Sequence, residues 1–159
     1  MKGDPKVLEL LNEALKNELT ATNQYWLHYR LLDNLGVKKL AEFERHESID
    51  EMKHADELAE RILFLDGLPN FQALGRLRIG EKVEEILRAD LELELEAVGQ
   101  LKGAIAHCEK VRDFTSRELF AKILVNEEDH VDHLEQQFEL IAAMGLPNYI
   151  QLQSEPAKE

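Results

Sequence analysis

Apolar residues recur at alternating steps of three and four along four long stretches of the chain, the spacing that lines one face of an α-helix. The first stripe runs Leu8, Leu11, Leu15, Glu18, Thr22, Tyr25, Tyr29, Leu32, and the second Leu40, Glu44, Glu47, Glu51, His54, Leu58, Ile62, Leu65. The third runs Val83, Leu87, Asp90, Glu94, Val98, Leu101, Ile105, Cys108, and the fourth Leu119, Ile123, Glu127, His130, Leu134, Phe138, Ile141. Prolines stand only at Pro5, Pro69, Pro147 and Pro156, so nothing forces a break between them. Asn34-Leu35-Gly36 closes the first helix with a glycine, and Asp66-Gly67-Leu68-Pro69-Asn70 closes the second. A turn lies at 109–115, with Asp113 as its candidate N-cap, and Gly145-Leu146-Pro147 stops the fourth helix. These signals predict helices over 5–35, 37–65, 82–109 and 114–144, with a short fifth over 148–152.

Four helices of matched length form a bundle. The tight turns make helices one and two antiparallel neighbours, and likewise three and four. The segment 66–81 is too long for a turn and has the length to run along the bundle as a crossover between the hairpins. The expected fold is all-α, with one domain over 1–159.

Carboxylates interrupt the apolar stripes at matched places. Glu18 and Glu51 are 33 residues apart, and so are Glu94 and Glu127, with midpoints inside the two tight turns. Each hairpin therefore sets its two glutamates at one height, about 25 Å from its turn. Glu51 and Glu127 each begin a Glu-x-x-His, ending in His54 and His130, and side chains at i and i+3 share a face. Burying one ionised carboxylate costs several kcal/mol. Four approach the roughly 5–15 kcal/mol that holds a domain together. No lysine or arginine stands in the stripes at that height, so two divalent cations are the expected compensation. Glu51 and Glu127 are the natural bridges and Glu18 and Glu94 the natural terminal ligands, the di-iron or di-manganese pattern of helical bundles. Oxygen-rich ligation with two imidazoles and no thiolate suits iron or manganese, and redox chemistry with oxygen or peroxide is the expected use. Asp50, Asn126 and Asp90 are candidates to orient the imidazoles. Tyr25 lies two turns from Glu18. Glu44 and Glu47 continue the acidic line away from Glu51, candidates to conduct cations inward, and His46 and Asp50, at i and i+4, are candidates for a separate cation site on another face; a solvated face is the leading reading of each.

Composition narrows the partners. The net charge of −13 opposes nucleic acid and attracts cations. One cysteine, Cys108, excludes a disulfide framework or a CxxC cluster and suits a reducing cytoplasm. No apolar leader follows Met1, and the longest apolar run, Leu140 to Met144, falls far short of the roughly 20 residues of a membrane span. A second apolar face, with Leu19, Trp26, Ile49 and Met52, points away from the seam and predicts a homodimer through helices one and two. Gly99 and Gly103 permit close backbone approach.

Several segments resemble the bacterioferritins: the opening Met-Lys-Gly-Asp, the run from His46 to Asp56, Arg61 to Asn70, the crossover ending Ile79-Gly80-Glu81, and Met144 to Tyr149. The likeness implies a ferritin-like subunit in a hollow shell of twenty-four. It implies ferroxidase activity: ferrous iron oxidised at an intrasubunit di-iron centre by O2 or H2O2, with ferric mineral stored inside. The family's ligands match Glu18, Glu51, His54, Glu94, Glu127 and His130. Its haem b, shared between two subunits through one methionine from each, matches Met52, with Leu19, Asn23, Trp26 and Ile49 as pocket walls. The haem implies electron delivery from a ferredoxin-type partner. Leu58, His133 and Asn126 stand where several relatives carry tyrosine, tryptophan and aspartate. The competing readings are a small soluble di-iron or di-manganese peroxidase or catalase, and a non-catalytic helical module with protonated acids.

Overall fold

The computed structural model describes residues 1–154; the end of the expected domain, 155–159, lies outside the described residues. Five helices follow one another: α1 (Pro5–Asn34), α2 (Lys38–Phe64), α3 (Val83–Val111), α4 (Phe114–Met144) and α5 (Leu146–Gln153). The expected bounds all hold to within two residues; α5 begins two residues early, directly after Gly145.

Local chemistry sets the ends. The Asp4 carboxylate accepts from the backbone N–H groups of Lys6 and Val7, and Pro5 opens the first turn without losing a bonded N–H. Gly36 takes φ 83°, which lets the chain reverse after α1. Asp113 caps α4 through the Ser116 N–H, as its position predicted. The same carboxylate accepts from Arg61 of α2 at 3.0 Å, tying the α3–α4 turn to the other hairpin. Asp113→Ala removes the cap and leaves the Arg61 guanidinium short of a partner. Denaturant unfolding of the metal-free protein is expected to show a loss of about 2 kcal/mol.

Helices α1 and α2 pack as one antiparallel hairpin and α3 and α4 as the other, with α1 against α3 and α2 against α4. The crossover runs beside α1, and α1 side chains hold its backbone in turn. Asn12 accepts from the Asn70 N–H, Thr20 from Gly75, Gln24 from Arg78, and His28 Nε2 from Gly80. A Cβ on Gly80 would lie 2.3 Å from the Ile86 nitrogen, so only glycine brings the crossover that close to α3.

The apolar core has two large parts and a small third cluster of Ala21, Tyr25 and Leu93. One large part fills the end with Val7, Leu11, Leu15, Leu58, Ile62 and Leu101; the other fills the opposite end with Leu32, Leu40, Ile86, Leu87, Leu134 and Tyr149. Between them lies a layer of buried polar side chains. Leu19, expected on the outer face, is 8% exposed and belongs to the first part of the core. Gly99 and Gly103 are exposed, and apart from their own stretch of helix no atom of the described residues lies within 4 Å of where their Cβ atoms would be.

Candidate metal centre

The polar layer falls at the level where the apolar stripes give way to acids. Glu18, Glu51, Glu94 and Glu127 are each no more than 3% exposed, although each is a residue type rarely buried without a partner. All six expected ligand residues converge. His54 Nδ1 lies 3.2 Å from Glu127, 3.6 Å from Glu18 and 4.0 Å from Glu51. His130 Nδ1 lies 3.3 Å from Glu51, 3.4 Å from Glu127 and 3.6 Å from Glu94. Glu51 and Glu127 thus face both imidazoles, Glu18 faces only His54, and Glu94 faces only His130. Two donor groups result, Glu18–Glu51–His54–Glu127 and Glu51–Glu94–Glu127–His130, overlapping at Glu51 and Glu127.

These donors are unsatisfied. One oxygen each of Glu18, Glu51 and Glu94, both oxygens of Glu127 and Nδ1 of both histidines are buried without a well-formed hydrogen bond. Such atoms are costly unless something binds them. Burial pushes the carboxyls of Glu18, Glu51 and Glu94 well above the usual carboxylate range, and their acidic neighbours push them further. Glu127 goes the other way: burial opposes its ionisation, but Glu94, His130 and His54 outweigh burial and hold its carboxyl well below that range. His54 and His130 are held above the ordinary imidazole value despite burial, His54 by Glu127 and Glu51, and His130 by Glu127, Glu47 and Glu94.

The far side of each imidazole is also occupied. The Asn126 amide lies 3.0 Å from His54 Nε2, across from α2 on α4, as expected of an orienting residue. Nε2 of His130 meets the Glu47 carboxylate. Glu47 and Glu44 are 7% and 0% exposed, so the solvated-face reading of both is wrong. Asp50 holds neither imidazole: its side chain is half exposed, 3.9 Å from Lys53. His46 is exposed and outside the cluster. Asp90 is buried but meets Gln24 and His28 of α1 rather than a cluster histidine. The buried Tyr25 hydroxyl donates to Glu94. His133 stacks on Phe43 at 3.9 Å, and Leu58 packs in the core.

A cavity of about 390 Å³ leads in from the surface, lined by Asp50, His54, Asn126, Asp129, His130 and the Lys122–Glu57 ion pair. Met52, rotated about 100° round α2 from Glu51, is 45% exposed, with Trp26 and Leu27 of α1 also exposed. No helix among the described residues is long and apolar enough to cross a membrane.

The ferritin-like domain family matches residues 8–144. A bacterioferritin of Brucella melitensis is 51% identical over 159 residues, covering 100% of this chain and 99% of the relative. The bacterioferritin BfrA of Mycobacterium tuberculosis is 51% identical over 145 residues, 91% of each chain. A bacterioferritin of Streptomyces coelicolor is 50% identical over 150 residues, 94% of this chain and 90% of the relative. A four-helix bundle with a long crossover, a layer of inward-facing carboxylates and half-identity along the whole length lead to one assignment: the chain belongs to the bacterioferritins, within the ferritin-like family.

Proposed function

We propose that this protein stores iron and is a ferroxidase, and that Glu18, Glu51, His54, Glu94, Glu127 and His130 bind two ferrous ions side by side as substrate. One observation carries the reading: Glu51 and Glu127 each face both imidazoles, while Glu18 and Glu94 face one each. That arrangement suits two bridging and two terminal carboxylates. Two ferrous charges balance four carboxylates, so binding relieves the burial cost that raises the acids. Each ion then gives up one electron. Dioxygen takes the pair with two protons to become hydrogen peroxide, or hydrogen peroxide takes a pair with two protons to become two waters. Asn126, whose Nδ2 lies 3.0 Å from His54 Nε2 and whose amide, turned over, would present its carbonyl oxygen to that N–H, and Glu47, accepting from His130 Nε2, hold both rings with Nδ1 toward the ions. Tyr25 steadies Glu94 from the opposite side.

Subunits assemble through the α1–α2 face into dimers and then into a closed shell of twenty-four, in the cytoplasm. A half-exposed thioether among exposed apolar side chains fits a haem b held between Met52 and the same residue of a second copy. Haem supplies one-electron transfer from a ferredoxin-type reductant during iron release.

The test is ferrous titration under anaerobic conditions followed by admission of oxygen, with particle mass measured on the same sample. Ferric absorbance should form much faster than in buffer, on a particle near 24 chains of 18.3 kDa, about 440 kDa. A dimer or hexamer would favour the small peroxidase or catalase instead. Met52→Leu is expected to abolish the haem Soret band and leave the initial rate of iron oxidation unchanged. Retained haem would refute the ligand assignment.

A further inference from the structure

We propose that Glu44 and Asp90 form a third divalent-cation site, separate from the six-residue centre and one helical turn from it. Asp90 and Glu94 are four apart on α3, about 6 Å along its axis. His28, Glu44 and Asp90 offer ligand atoms that all lie within 4.8 Å of one another, and all three residues are 0% exposed.

Asp90 is held from one side only. Gln24 Nε2 donates to Asp90 Oδ1 at 3.0 Å, and His28 Nδ1 lies 2.8 Å from the same oxygen. The Gly80 N–H donates to His28 Nε2 at 3.0 Å. That nitrogen therefore carries no proton, so Nδ1 carries one and donates it to Asp90, and the ring is neutral. Two α1 donors thus fix Asp90 Oδ1 and leave Oδ2 without a partner. Across from it, both oxygens of Glu44 are buried and unpartnered. Glu44 and Asp90, from two helices, each bring a carboxylate oxygen within 4.8 Å of the other, and three of their four oxygens lack a hydrogen-bond partner, with no lysine or arginine paired to them among the described residues.

An all-oxygen donor set favours a hard ion such as ferrous or manganous rather than a structural zinc. One divalent ion neutralises the two carboxylates. Hydrogen bonds to the non-ligating oxygen of Asp90 are the kind of outer support that metal-binding carboxylates use. Glu47 stands between the two sites: Glu44, Glu47 and Glu51 are successive buried positions on one face of α2, and Glu47 already touches His130. A cation at Glu44 and Asp90 is thus linked to the centre by a continuous line of carboxylates.

The test uses the full-length assembled protein, stripped of metal and crystallised with Co(II) alone, with anomalous scattering read at each site. The expected result is a peak between Glu44 and Asp90 in the parent protein that is lost in Glu44→Gln, a variant of the same shape that preserves packing. Peaks at the six-residue centre are scored separately in the same crystals and should persist in that variant. No peak at Glu44 in the parent protein at saturating Co(II) overturns the proposal and means that the two carboxyls share a proton. A peak of equal strength in Glu44→Gln also overturns it. Absence of ions at the six-residue centre alone would count against the ferroxidase reading and leave this site standing.

Discussion

Replacing Glu127 with glutamine is expected to slow ferrous oxidation by more than about 100-fold, while changing the shape of the site hardly at all. Loss of a residue that merely orients a metal ligand costs about 10–100-fold. Glu127 is a proposed direct donor, and its two oxygens lie 3.2 and 3.4 Å from the imidazoles of both proposed ion positions. It is also the one carboxylate of the four held below its usual range, so it is the best-prepared anion before any ion arrives. An amide there removes one charge and leaves both positions short of a bridge. Glu18→Gln touches only the His54 side and is expected to be milder. The measurement is the initial rate of ferric absorbance under stopped flow. A Glu127→Gln rate within about twofold of the parent would place the chemistry elsewhere.

Loading the centre is expected to stabilise the fold, and by more at higher pH. Without ions, Glu18, Glu51 and Glu94 titrate above their unfolded values in the folded chain. The folded state then binds more protons, so its stability falls as pH rises through and beyond the ordinary carboxylate range. His54 and His130 are also raised; their contribution is present below about pH 6.5 and fades as pH climbs through their folded values. Glu127 works the other way, but its contribution is lost only as pH falls below the ordinary carboxylate value. Metal-free stability is thus expected to decline from about pH 5 to pH 8. Divalent ions replace those protons. At a free concentration a hundred times the dissociation constant, each contributes about 2.7 kcal/mol, so a pair contributes about 5 kcal/mol, comparable to the whole stability of many domains. Thermal unfolding of stripped and Co(II)-loaded protein at both ends of that range is the check. A metal-induced rise in Tm that is equal at both ends, or larger at the acid end, contradicts the charge-balance account.

Much of this was legible from residue order. Alternating steps of three and four marked the helices, glycines and an aspartate marked their ends, and equal offsets of Glu18–Glu51 and Glu94–Glu127 marked the level of the centre. The misreadings have separate causes. Periodicity sets Glu44 and Glu47 in the inward stripe of α2, and only their charge argues for solvent; Gln24 and His28 stand outside the α1 stripe, because helical periodicity reports burial against other helices. Gln24 and His28 face the crossover, which has no period of its own, and are buried because that strand is laid over them. A trace did exist: Asn12, Thr20, Gln24 and His28 are polar residues in steps of four or eight along α1, the side chains that hold the crossover. Glu47 was obscured because its partner, His130, comes from the other hairpin. Leu19 misled for a simpler reason: a residue one position past a ligand can still turn into the core.

The three donors Glu18, Glu51 and His54 come from the α1–α2 hairpin, and Glu94, Glu127 and His130 come from α3–α4. Neither half can complete either ion's surroundings alone, since each four-residue group draws on both. Under the proposed function, ferrous ions bound there would join the two halves at mid-height as well as react, while the crossover latched along α1 keeps the halves in register.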